Sequence, residues 1–362
     1  MNKQRGVIII IVLWFIVIVT VIVAALANET RLAAKTVFHN KKSLQTWNDT
    51  LQALNAAKME LLINRMPDPP GEETPLSERK NKRYRFNGQA LTLAYPIPTT
   101  TTVRIYDQSG KINLQSLSKI HLRQLLENKV GTDPEKLQPL LDAWNDWVDR
   151  DDFERVNGAE KKYYETLSPP YEPRNFRLET VEELLLIKGF DTVFQGMEID
   201  TVFTVYGNSS RGINPNLATR EALMLLPGMT GTAADKILVK RRKKDFKSIN
   251  DLNNFIEPEQ LAKLRPWVNF SSSNFYTIAI QTQERDEEDI EESKAEKSTE
   301  NKKEIIPVSS TEENQRAYMI TVQTKGFNQL PKVLLVKPYG VLPNTAHEQI
   351  IDEDDDSFLS SN

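Results

Sequence analysis

The chain of 362 residues contains no cysteine and only three histidines, His39, His121 and His347. Disulfides, thiol nucleophiles and thiolate metal sites are thereby excluded, and histidines this scattered give no imidazole zinc site. Neither charge sign is in excess: 46 basic residues face 50 acidic ones, for a formal net charge of -4. No general attraction to nucleic acid or anionic lipid follows, so any charge argument must be local. Catalytic signatures are missing too. No G-x-S-x-G elbow, Walker loop, H-E-x-x-H pair or glycine-rich dinucleotide turn occurs, and the expectation is a protein that is not an enzyme.

What the chain does have is one long apolar run near its N-terminus. Val7 to Ala27 carries no charge, and at about 1.5 Å per residue it covers the roughly 30 Å hydrocarbon core of a bilayer. Lys3 and Arg5 precede it and favour a cytoplasmic N-terminus, while Arg31, Lys35, Lys41 and Lys42 follow, so charge sets the orientation only weakly. Ala25-Leu26-Ala27 matches a small-x-small cleavage site, which makes a removable secretory signal the competing reading. Against it, the apolar run outlasts a signal core and continues as an amphipathic pattern through Leu26, Ala33, Val37, Leu44, Trp47, Leu51, Leu54 and Leu61. The sequence predicts one helix over 7–65, transmembrane over 7–27, with the stripe from Val37 to Leu61 clamped on a soluble domain. Pro67, Pro69, Pro70 and Pro75 then stop it.

Short alternating segments follow at Leu91 to Tyr95 and Val103 to Ile105, and again at Phe275 to Gln281, Ala317 to Thr324 and Lys332 to Val336. Between them, from Ile112 to Trp267, the pattern is helical. Thr180 to Glu183 and Ser248 to Asp251 read as capping boxes. The predicted fold class is α+β: a helical domain over 112–268 inserted into a unit made of 66–111 and 269–345. Residues 284–314 and the acidic tail 346–362, with Asp352 to Asp356, are expected to be disordered. Gly110-Lys-Ile112-Asn113 and Gly212-Ile213-Asn214, each leading into a leucine pattern, hint at an internal repeat.

Two local clusters invite a ligand. Leu226-Pro-Gly-Met229, Ala233 to Ile237 and the basic run Lys240 to Lys244 read as a helix-hairpin-helix-like segment, which in DNA-binding proteins holds phosphate. A membrane-anchored DNA-uptake receptor is therefore the alternative function. The rest of the chain offers no second basic face, and a compact hairpin with a solvated turn is the plainer reading, with nucleic acid not expected. The second cluster, Asp146, Asp149, Asp151, Asp152, Asn157 and Glu160, gathers hard oxygen ligands around a glycine turn, as calcium requires. Its spacing is not that of an EF-hand loop, and acidic residues at a helix end are commonly just solvated.

Read in order, several motifs together resemble the protein K family, the large minor pseudopilins of the type II secretion pathway. They are Gln4-Arg5-Gly6, Asp107-Gln-Ser-Gly110-Lys-Ile-Asn113, Asp146-Trp-Val-Asp149 with Asn157-Gly-Ala-Glu160, Pro170-Tyr171, Thr180 to Leu186, Thr204-Val-Tyr206 and Ile213 to Asn216. The resemblance implies a pilin-like fold with a helical insertion, cleavage by prepilin peptidase after Gly6, and N-methylation of Val7. It implies an inner-membrane stem with a periplasmic head, and assembly with minor pseudopilins I and J and other pseudopilins at a pseudopilus tip, for export of folded proteins. Secreted substrates and the outer-membrane secretin are further expected partners, and calcium is implied in the globular part, here carried onto the Asp146 to Glu160 cluster. The fifth mature residue, glutamate in ordinary pilins, is Ile11 here, which removes a costly buried charge from the lipid and suits a capping subunit. The leader ends Arg-Gly before an aliphatic residue, and the cysteines of some relatives are absent.

Overall fold

A computed structural model describes residues 5–66, 85–207, 212–283 and 316–343. The first four residues, the proline-rich stop at 67–75, the loop 284–314 and the tail 346–362 lie outside the described residues.

The first element is helix α1, Arg5–Arg65. From Val7 onward no proline or glycine interrupts it, and Thr20, Thr30 and Thr36 turn their hydroxyls back onto carbonyls three or four residues earlier. Its apolar N-terminal portion is long enough to cross a membrane, and the side chains there are exposed. The distal portion packs on a sheet. Thr50, Ala53, Leu54, Ala57 and Leu61 are buried against Val103, Ile105, Ile278, Ile280, Ile320 and Val322. The alanines, both fully buried, let the helix axis approach the sheet closely. Trp47 meets Tyr318 edge to face at 5.2 Å, and the hydroxyls of Thr50 and Thr282 lie 2.8 Å apart.

The clamp is shorter than its stripe implied. Val37 and Leu44 are 67% and 68% exposed, and burial begins only near Trp47. Strand length accounts for this: a strand of 8 residues spans about 27 Å, which faces only about 18 residues of helix. Replacing Leu61 with alanine should therefore cost about 2–5 kcal/mol in urea unfolding of the detergent-held chain, whereas Val37→Ala should stay within about 0.5 kcal/mol.

The sheet is built from β1 (Asn87–Ala90), β2 (Thr101–Asp107), β5 (Phe275–Thr282), β6 (Arg316–Gln323) and β7 (Lys332–Val341). Among the described residues it is five-stranded and antiparallel, in the order β1-β2-β5-β6-β7, with Ile105 opposite Ile278 and Ile278 opposite Ile320. The strand expected at Leu91 to Tyr95 is displaced to β1. Leu91 and Leu93 instead pack at the edge of the helix–sheet core, and the Ala94 amide donates at 2.8 Å to Glu60, a carboxylate of α1 that is only 2% exposed.

The described residues between β2 and β5 form a mainly helical block with its own hydrophobic core. Its elements are β3 (Ile112–Asn113), α2 (Lys119–Val130), α3 (Pro134–Val148), α4 (Lys161–Tyr164), α5 (Phe190–Val193), α6 (Ile199–Val202), β4 (Phe203–Thr204), α7 (Arg220–Met224), α8 (Gly231–Lys243) and α9 (Pro258–Leu264). The capping box expected at Thr180 to Glu183 opens a 3-10 turn, Glu182–Leu186, in which Glu183 accepts the amides of Glu179 and Thr180 but no side chain caps the turn's N-terminus.

The weak sequence repeat is a structural one. Asn113 and Asn214 each accept the amide two residues on, at 3.0 Å. Ile112 pairs in parallel with Phe203, and Ile213 with Val268. Ser118 caps α2 and Thr219 caps α7, at the same chain distance from Ile112 and Ile213. The two copies also touch. The Asn214 amide donates to Ser109 O at 2.7 Å, and a Cβ on Gly110 would come within 2.5 Å of Leu217 O.

Chain exit and return are stitched by one side chain. Asp107, 3% exposed at the end of β2, accepts the Ser109 amide and hydroxyl and, across the gap, the Ser273 amide at 3.0 Å. Between sheet and block lies a cavity of about 60 Å³. At its wall Lys337 of β7 bridges Glu182 and Asp200, and burial pushes the Lys111 ammonium down to about 8 despite the nearby Asp200.

Candidate functional site

Helix α3 is positioned by Asp133, whose carboxylate accepts the Glu135 amide at 3.0 Å, and by Pro134 in its first turn. Leu137, Leu140, Leu141, Trp144 and Trp147 face the core, and Asp146 falls on the same buried side with no solvent exposure. A carboxylate placed there must be satisfied internally. The loop that follows does so: Oδ2 accepts the Arg155 amide at 3.2 Å and the Ala159 amide at 2.9 Å, while Oδ1 accepts Arg155 Nη1 at 2.5 Å. The same guanidinium reaches Asp149 Oδ2 at 2.6 Å. Gly158 lies against the Asp146 carboxylate with no room for a Cβ, so the Asn157-Gly158 step is dictated by packing. Lys188 closes the far side, donating to Gly158 O at 2.8 Å while its ammonium sits 4.7 Å above the Tyr163 ring.

Glu160 stands apart. Its side chain is 4% exposed, and neither carboxylate oxygen finds a partner among the described residues. Burial first, and then the charges of Asp146, Asp149, Asp152 and Asp151, push its carboxyl up to about 7. A folded-state value above the unfolded one means that the native state holds this proton more tightly. This group's contribution is therefore fully present below about pH 4.5 and is lost as the pH rises to about 7. Glu160→Gln should leave stability unchanged at pH 4 and raise it by roughly 1–3 kcal/mol at pH 8, read from urea midpoints in chelator.

Of the six expected calcium donors, Asp146 and Asp149 share Arg155, and Glu160 lies within reach of their charge. Asp151, Asp152 and Asn157 are exposed. Asp151 accepts the Phe153 amide at 3.1 Å and Asp152 the Asn175 side-chain amide at 2.7 Å. Among the described residues no three acidic or imidazole groups converge at metal-ligand distance. The donor chemistry nonetheless fits a hard divalent cation, because both Glu160 oxygens and Asp149 Oδ1 are buried without a partner. Arg155 was not legible as a functional residue. Its one signal is that it is a guanidinium, with Arg150, inside an acidic run.

The hairpin-like segment spends its special residues on packing. Gly228, with φ 81°, turns between α7 and α8 with its Cα facing the Gln260 carbonyl of α9, where a Cβ would come within 2.6 Å. Arg241 is 2% exposed and donates to Pro215 O and Ala218 O at 3.1 and 2.6 Å, and Lys240 covers the Phe255 ring.

A membrane-length stem that runs on into the core of a short antiparallel sheet, with a helical block between neighbouring strands, defines a pilin-like α+β protein. Residues 85–195, which contain the whole acidic loop, match the family model described as Type II secretion system (T2SS), protein K. Type II secretion system protein K of Klebsiella pneumoniae is 30% identical over 158 residues, 42% of this chain and 48% of that protein. The protein of the same name in Pectobacterium carotovorum is 34% identical over 70 residues, 19% and 21% of the two chains. The chain thus spans less than half the length of these two relatives. A chain in the crystal structure of the GspK-GspI-GspJ complex from the enterotoxigenic Escherichia coli Type 2 Secretion System superposes with a TM-score of 0.50 at 13% identity, covering 83% of this chain and 99% of that one. At that identity the likeness speaks for the fold. The resemblance to type II secretion system protein K carried by the sequence motifs is borne out by these matches.

Proposed function

We propose that this chain is a minor pseudopilin of type II secretion: an assembly component, not an enzyme, that joins minor pseudopilins I and J to start or cap a pseudopilus. The observation that carries this reading is the continuity of α1, apolar and exposed at one end and buried under the sheet at the other. Such a helix couples a lipid-held stem rigidly to a folded head. The stem would sit in the inner membrane with the head in the periplasm, and the block 112–268 would act as a unit separable from 66–111 and 269–345, offered to secreted substrates or the secretin. Ile11, 62% exposed on the stem, gives a following subunit no carboxylate to pair with, which supports a terminal position. The use of Gly228 and Arg241 for packing supports assembly over DNA binding, since phosphate needs free amides and cations.

Edman or mass-spectrometric sequencing of the mature chain tests the reading. It should begin at methylated Val7, and a chain beginning at Asn28 would overturn it. Co-purification with minor pseudopilins I and J tests the partners. Calcium is part of the same proposal: Glu160 and Asp149 would hold it, with Asp151 and Asp152 beside them, and the ion would neutralise the loop's repulsion. Calcium should then raise the melting temperature of the parent chain and leave that of Glu160→Gln unmoved.

A further inference from the structure

The helical block rests on the face of the sheet turned away from α1, and the apolar cores of the two do not merge. The block has one hydrophobic cluster, the α1 face of the sheet has another, and Tyr106, Ala279, Ala317, Met319 and Leu342 form a third on the outer face. Between block and outer face lies the cavity of about 60 Å³, with Gln108, Lys111, Thr277, Thr321 and Lys337 in its wall. A boundary this polar lets its two sides move unless something ties them.

The ties fall in two groups. The first lies along one row at the ends of the strands. There Asp107 takes the amides of Ser109 and Ser273, its own amide donates to Phe86 O at 2.8 Å, and the adjacent Arg85 pairs with Asp245 and the Arg241 carbonyl of the block. Gln108 donates to Thr277 Oγ1 at 2.6 Å, and the rings of Phe275 and Tyr206 stack at 6.3 Å. Bonds gathered on one line resist sliding and permit rotation about that line. The second tie is Lys337 on the edge strand β7, which bridges Glu182 and Asp200 of the block. Lys337 stands opposite Met319, three residues along β6 from Val322, and Val322 continues the row through Asp107 and Tyr276. The tie is therefore about 10 Å off that row along the strands, and two strands, again about 10 Å, beyond β5. Its carboxylates are 52% and 42% exposed, so the bond is weak and open to screening.

We propose that the helical block is a hinged lid over the outer face of the sheet, pivoting along the Asp107 row and held shut by Lys337 between Glu182 and Asp200. Opening has something to gain, because burial pushes the Lys111 ammonium down to about 8 and wetting the cavity returns its water. The open lid keeps its fold and still hangs from the Asp107 knot, so its direction relative to the stem becomes adjustable. This holds whether or not the chain joins other pseudopilins, and the test needs none of them.

Because the chain has no cysteine, two introduced ones can carry spin labels without background. Asn55→Cys on α1 and Thr192→Cys on α5, both at exposed positions, are labelled in the full detergent-held chain, and their separation is read by double electron–electron resonance. The parent should give a narrow distribution. Lys337→Ala should broaden it about twofold and add a longer distance, and salt at about 0.5 M should move the parent the same way. Lys337→Arg, and Lys332→Ala on the same strand, should match the parent. The same distribution in Lys337→Ala and the parent, a parent indifferent to salt, or equal broadening in Lys332→Ala would each overturn the inference. So would loss of the near-ultraviolet signal of Trp144, Trp147 and Trp267 in Lys337→Ala, since that block would have unfolded instead of swinging.

Discussion

Asp146→Ala is expected to unfold the acidic loop and remove about 3–5 kcal/mol from the stability of the helical block, visible as a lowered urea midpoint and the loss of near-ultraviolet signal from Trp144 and Trp147. The size follows from what the substitution strands. Two backbone amides, of Arg155 and Ala159, lose the carboxylate that accepts them, and the guanidinium of Arg155 keeps its Asp149 contact. The void left by a fully buried carboxylate adds to this. Asp146→Asn isolates the charge, because an amide oxygen can still accept the two backbone donors. It should cost less than the alanine variant, by roughly the share due to the two backbone hydrogen bonds and the void. Equal costs for the two would show that the pair dominates and the amides contribute little.

Asp107→Ala should be nearly as damaging, at about 2–4 kcal/mol, because its carboxylate takes donors from both ends of the inserted block. Ser109 lies just after the chain leaves the sheet and Ser273 just before it returns, and both amides turn to the same side chain. Burial holds the Asp107 carboxyl above the usual carboxylate range, against the lowering effect of its serine donors. In the parent chain, this group's contribution therefore diminishes as the pH rises through and above the unfolded value near 3.8. The alanine variant lacks that slope. Comparing unfolding of the two at pH 4 and pH 7 checks it: the gap between them should narrow at the higher pH, and a widening gap would show that the serine donors outweigh burial.

The stem was legible because twenty-odd apolar residues without a charge admit few meanings. Where the clamp begins was not, because a helical stripe records which face is apolar and says nothing of how long the opposing strands are. Val37 and Leu44 fit the stripe and overhang the sheet. Leu91 and Leu93 alternate as a strand would, yet the demand for burial is met at the edge of the core and the Ala94 amide goes to Glu60. The repeat was visible as two short glycine turns, but the match of their Asx bonds and helix caps is set by backbone geometry that residue types alone do not state. In the acidic loop the sequence located the carboxylates and missed the counter-ion. Composition cannot tell that Arg155 folds back between Asp146 and Asp149, nor that the two most orphaned oxygens belong to Glu160.

The helical block enters and leaves through neighbouring antiparallel strands, Asp107 standing opposite Tyr276. A tug on that block would draw both strands at the same end, so the ladder would be peeled one rung at a time and not sheared all at once. The Asp107 knot is the first bond such a force meets, and its strength sets the tension at which the head gives way before the stem.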